Sequence, residues 1–156
     1  MMCPPMTAMP AGRHTTVALA PPAVGQIAEA LEAFCLAEAL PEDAAWRLKL
    51  AMDEIVANVV SHGATGRPGG RIDVWFWRDH DTVEVRVEDD GLPFDPLSRP
   101  DPDVSGPLEE RQPGGLGIVL VKGLLDDVRY ERTTRNILTL RKGLDSGGNT
   151  GAAGKP

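Results

Sequence analysis

DEIVANVVSHG, Asp53 to Gly63, sets a carboxylate, a carboxamide and an imidazole four residues apart inside an otherwise apolar helical stretch. At about 100° per residue, Arg47, Glu54, Asn58, Ser61 and His62 fall within one stripe, and Leu50, Ala51, Ile55, Val56, Val59 and Val60 occupy the remainder. The pattern predicts a helix apolar enough to be buried, with a single polar strip. Asn is a poor mid-helix residue because its amide competes for backbone hydrogen bonds, and an ordinary solvent face would carry Lys, Gln or more Glu. Taken alone, the segment also fits a plain amphipathic helix whose polar side is wet.

Two segments further along bear on that choice. The alternation of Val83, Val85 and Val87 leads into EDDGLPFDP, Glu88 to Pro96, and later comes PGGLGIVLVKGLLDD, Pro113 to Asp127. Each is weak by itself, since a turn explains Asp90-Gly91 and glycine-rich helix starts are common. In this order and spacing, the three segments resemble the N, G1 and G2 boxes of the GHKL ATP-binding fold shared by gyrase, Hsp90, histidine kinases and MutL. Pro93 and the Phe-Asp-Pro that follows it are similar to the anti-sigma-factor serine-protein kinases of bacterial partner-switching systems. The resemblance covers roughly residues 15–142.

Bulk properties set the frame. A chain of 156 residues with 42% hydrophobic content is long enough for one domain with a proper core and too short for two. A net charge of -7 without clustered Lys and Arg argues against a nucleic-acid surface. Cys3 and Cys35 are the only cysteines, so neither a disulfide framework nor a metal site is suggested and the chain reads as cytoplasmic. No apolar run approaches the ~18 residues that span a bilayer, so no membrane is implied. Residues 1–14 are too proline-rich for a signal peptide and read as a disordered leader, with Met6 or Met9 as alternative starts; residues 143–156 read as a flexible tail.

Between them, Thr15 to Ala20 reads as a strand and Pro21-Pro22 as a helix start. A first helix over 23–39 would bury Val24, Ile27, Leu31, Phe34 and Cys35. Pro41, Glu42 and Asp43 open the second helix and Gly63 closes it. Arg71 to Arg78 and Thr82 to Asp89 form a hairpin, with Trp75 and Trp77 on one side of their strand and best explained by core packing. The segment 96–113 holds prolines at 96, 100, 102, 107 and 113, which excludes a regular element and suggests a functional lid. A helix over 116–125 and strands over 128–132 and 136–141 complete an α/β (α+β) two-layer sandwich, its sheet mixed but mainly antiparallel, with helices on one face.

The resemblance implies a role for each box in this Bergerat-type fold, with ATP or ADP and Mg²⁺ as its ligands. Asp89 would accept a hydrogen bond from the adenine amino group, although a turn-capping Asp fits the local sequence too. Gly91 would let the backbone pass close to the base, with Pro93 and Phe94 beside it. Gly114, Gly115, Leu116 and Gly117 would begin a helix whose free N–H groups attract phosphate. Asn58 offers the neutral oxygen suited to Mg²⁺, and Glu54, one turn earlier, would be the general base. His62 would lie near the nucleotide edge, or else be a satisfied helix-end histidine. In place of an arginine directly before the lid-end glycines, the chain reads RQPGG, leaving Arg111 to reach the γ-phosphate from farther back.

The function so implied is an ATP-dependent protein serine kinase that sequesters a sigma factor and phosphorylates a STAS-type anti-anti-sigma partner, working as a homodimer through its first strand and first helix. A non-catalytic, ATP-gated binding protein of the same fold is the alternative. The catalytic domain of a histidine kinase would require a phosphoacceptor helix and stem for which the chain is too short.

Overall fold

Strand alternation and cross-strand register build the sheet. The computed structural model describes residues 13–63, 69–98 and 115–144. In order, they form β1 (Arg13–Ala18), α1 (Ala23–Ala37), α2 (Glu42–Gly63), β2 (Arg71–Asp79), β3 (Thr82–Asp89), a 3-10 turn (Pro96–Ser98), α3 (Gly115–Leu124), β4 (Asp127–Arg132) and β5 (Asn136–Gly143). The sheet runs β1-β2-β3-β5-β4, and all four pairings are antiparallel, so the parallel component of the expected mixed sheet is not found among the described residues. At the ends of the described chain, Arg13 and His14 pair with Phe76 and Trp75, and β5 runs to Gly143 with Leu144 buried behind it.

One face of the sheet carries the helices. Ile72, Val74 and Phe76 from β2, Val83, Val85 and Val87 from β3, and Leu138 and Leu140 from β5 share a single core with Ile27, Leu31, Phe34, Leu48, Met52, Ile55 and Val56. In α1 the buried set is Ala23, Ile27, Leu31, Phe34 and Cys35. Val24, expected in that set, is only partly buried. The helix ends at Ala37, two residues early, because Ala39 adopts φ 51° and the Leu40 N–H reaches back to the Cys35 carbonyl. That six-to-one bond closes a Schellman motif with alanine where glycine is usual.

The opposite face carries no helix among the described residues and is built from charge and aromatic stacking. Trp75 and Trp77 do share a side of β2, but it is this one, and neither belongs to the helix-packed core. The Trp75 ring stacks on His14 at 4.7 Å, with the Arg86 guanidinium 5.1 Å above it. Asp73 is the hub of this face. Thr16 Oγ1 donates to Asp73 Oδ1, His14 Nε2 lies 3.0 Å from the same oxygen, and Arg71 Nε lies 3.2 Å from Oδ2. Arg135 Nη2 approaches Oδ2 to 2.9 Å as an ion contact without hydrogen-bond alignment, and its Nη1 pairs with Glu88 at 3.1 Å.

Candidate functional site

The cavity opens where α2, the end of β3 and the start of α3 converge. It is lined by Ile55, Asn58, Val59, Gly63, Val87, Asp89, Leu92, Phe94, Pro96, Ile118, Tyr130, Asn136 and Leu138. Most of these are apolar. One member of the polar strip of α2, Asn58, therefore borders an apolar hole, which a residue on a plain solvent-facing strip would not do.

Asp89 ends β3 on the helix side and is 4% exposed. Its Oδ1 accepts from the Gly91 N–H at 2.9 Å and from Asn136 Nδ2 at 3.0 Å. Oδ2 has no partner among the described residues. Burial pushes the carboxyl above its ordinary range, against the downward pull of those two hydrogen bonds. The turn-capping alternative is thus part of the truth: Asp89 does hold the Gly91 amide, and it still lines the cavity.

Gly91 and Gly63 pack backbone to backbone. A Cβ on Gly91 would lie 2.7 Å from the Gly63 Cα and carbonyl oxygen, so what its bare Cα admits is the end of α2. This contact pins the polar strip beside Asp89. Glu54 sits one turn before Asn58 and presses against α3: a Cβ on Gly117 would meet Glu54 Oε1 at 2.4 Å. Its carboxylate therefore lies at the first turn of α3, whose leading N–H groups have no intrahelical partner. The Asn58 side chain lines the cavity and makes no hydrogen bond among the described residues.

Other expected site residues fall differently. His62 does not line the cavity; it stacks on Phe94, which does, with ring centroids 4.0 Å apart and planes 12° apart. Pro93 is exposed and outside the lining. Gly115 and Leu116 begin α3, while Gly114, Arg111 and the expected lid from 99 to 113 lie outside the described residues. Its first part, Pro96–Ser98, forms a 3-10 turn despite the proline run. Asn136 and Tyr130 were not anticipated. The available signal was an asparagine in register with Leu138 and Leu140, a polar residue on the core side of a strand.

Comparison with known proteins supplies the context. The model of the histidine kinase-like ATPase domain matches residues 17–142. A serine-protein kinase RsbW from Listeria monocytogenes is 36% identical over 98 residues, covering 59% of this chain and 62% of the relative. A serine/threonine-protein kinase BtrW from Bordetella bronchiseptica is 29% identical over 85 residues, covering 54% of this chain and 60% of the relative. The chain thus matches about six-tenths of the length of these relatives. Among solved structures, the RsbU and RsbW domains of a Mycobacterium tuberculosis protein superpose with a TM-score of 0.62 at 20% identity, covering 85% of this chain and 32% of that one, a likeness of fold.

Proposed function

The chain belongs to the histidine kinase-like ATPase domain family, and we propose that it binds ATP with Mg²⁺ around Asp89 and transfers the γ-phosphoryl group to a serine of a STAS-type anti-anti-sigma protein. Holding a sigma factor, in a cytoplasmic homodimer joined through β1 and α1, is part of the same proposal. Its main support is a buried carboxylate with one oxygen unpartnered among the described residues, lining an apolar cavity that α3 reaches through Ile118. Kinase names among the relatives point the same way. No described helix is long and apolar enough to cross a membrane.

In this reading the purine enters the cavity and its amino group donates to Asp89. The first N–H groups of α3 hold the phosphates, as helix N-termini do. Asn58 would hold the cation together with phosphate oxygens, and the bound Mg²⁺ would neutralise charge on the phosphates. Glu54, against the same turn of α3, accepts the proton of the serine hydroxyl as that oxygen bonds to the γ-phosphorus. The bond from the γ-phosphorus to the β,γ-bridging oxygen breaks and ADP leaves. Arg111 is assigned to the γ-phosphate from the lid, whose closure over nucleotide would also change the partner surface.

The test separates chemistry from binding. Glu54→Gln should bind ATP with wild-type affinity in calorimetry and transfer phosphate to the STAS protein at least ~10²-fold more slowly, the usual scale for losing a general base. Equal transfer rates would remove Glu54 from the proton transfer. A wild-type chain that binds ATP and phosphorylates no STAS protein would instead be the non-catalytic, ATP-gated binder.

A further inference from the structure

Asn136 heads β5 directly opposite Asp89 in the β3–β5 register and is 6% exposed. Every polar atom of its amide is engaged. Nδ2 donates to Asp89 Oδ1 at 3.0 Å and to the Leu92 carbonyl at 2.8 Å. Oδ1 accepts from the Tyr130 hydroxyl at 2.6 Å, from Arg132 Nη1 at 3.0 Å and from the Phe94 N–H at 3.3 Å. A guanidinium and a backbone N–H can only donate, so a flipped amide would set donors against donors. The orientation of the amide, and hence the donor aimed at Asp89, is fixed by its surroundings.

That donor has a consequence for the carboxylate. Asp89 Oδ1 takes hydrogen bonds from both Asn136 and Gly91, and the carboxylate cannot rotate without breaking them. Oδ2 remains as one directed acceptor in an apolar cavity. We propose that Asn136 is a specificity-determining positioning residue: by locking Asp89 it makes the site take a purine with an exocyclic amino group and reject a 6-oxo purine. An oxo group facing Oδ2 would set acceptor against acceptor in a mostly apolar cavity. The Asn136 hydrogen bond also opposes the burial that raises Asp89. Without it the carboxyl protonates more readily, and a protonated carboxyl can donate to an oxo group.

The inference rests on the nucleotide reading above, and the experiment keeps the two apart. Affinities for ATP, ITP and ADP, each with Mg²⁺, are measured by competition against a fluorescent nucleotide for wild type, Asn136→Ala and Tyr130→Phe. Wild type should prefer ATP over ITP by roughly tenfold or more, the worth of one hydrogen bond to a charged group. Asn136→Ala should bring that ratio to within about threefold while the ATP-to-ADP ratio, set at the phosphate end, stays within about twofold. Tyr130→Phe, which removes only the hydroxyl that orients the amide, should lower the ATP-to-ITP ratio by about threefold, and it decides the matter if Asn136→Ala does not fold. A general structural role for Asn136 would weaken all three nucleotides alike, so unchanged ratios overturn the proposal and leave the nucleotide reading standing. Failure of wild type to bind ATP overturns that reading first, and this inference with it.

Discussion

Asp73 and Asp89 lie on adjacent strands and are almost equally buried, at 5% and 4% exposed, yet their carboxyls are shifted in opposite directions. Burial pushes both upward. On the opposite face, hydrogen bonds from Thr16 and His14, with the close charge of Arg135, outweigh that push and hold Asp73 at about 2. On the helix-packed face, Asp89 has, among the described residues, only the neutral donors Asn136 and Gly91 in contact, and it stays raised. On the proposed reading, the difference separates a carboxylate that joins strands from one that reads a ligand. Asp73 is saturated and ties edge strand β1 to the sheet. Among the described residues, Asp89 is short of one donor in a cavity, the condition expected where function takes precedence over local stability.

The contrast breaks most visibly through Asp73. Replacing it by alanine strips one of two carboxylate partners from Arg135, itself largely buried, and loosens His14 and Thr16 from β2. Asp73→Ala should cost about 3 kcal/mol in urea denaturation, the low end for breaking a buried ion pair, because Arg135 keeps Glu88. Its ATP affinity should stay within about twofold, since the substitution lies on the other face of the sheet. A loss below ~1 kcal/mol would remove Asp73 from the role of hub.

Asp89→Asn should do the reverse. The asparagine oxygen can keep the Gly91 and Asn136 hydrogen bonds, but its NH₂ then faces the cavity where an acceptor is needed. ATP affinity should fall roughly tenfold to over a hundredfold, the ~1.5–3 kcal/mol of a charged hydrogen bond. Folding stability should change by less than about 1 kcal/mol, because a raised carboxyl is a burden on the fold that the amide removes. Unchanged ATP affinity in calorimetry would sink the adenine-reading assignment.

Much of this arrangement is written in local pattern, and the remainder is not. The α2 stripe, the hairpin of β2 and β3, and the glycine-led α3 follow from periodicity and turn residues, which act over a few residues. The face of the sheet that the helices cover does not. Trp75 and Trp77 are large enough to suggest core, yet the smaller Ile72, Val74 and Phe76 win it because they pair in register with Asp89, Val87 and Val85. Asp89, Glu54 and Asn58 are legible because each sits in a short recognisable segment. Asn136 is not, because its significance arises from a strand pairing that brings it to Asp89 across 47 residues of chain.

Acid titration offers the finest measurement of the difference. Asp73 is held at about 2 against an ordinary 3.8, so the folded state binds fewer protons at that site than the unfolded state. Its stabilisation is therefore complete above pH 4 or so and is lost as pH falls toward 2. At roughly 1.4 kcal/mol per pH unit, the loss amounts to about 2 kcal/mol. Asp89 works with the opposite sign: its raised carboxyl penalises the fold while ionised, and protonation as pH falls relieves that penalty. Thr16→Val isolates the Asp73 share. It removes one neutral donor and keeps the strand, so it should cost about 1 kcal/mol near pH 6. It should also raise Asp73 and start the acid-induced loss of stability at a higher pH than in wild type. Urea denaturation from pH 6 to 2 measures both effects. If the two curves keep a constant separation down to pH 2, the Thr16 hydroxyl contributes nothing to the low Asp73 value, and the account of Asp73 as a carboxylate held down by its donors fails at that contact.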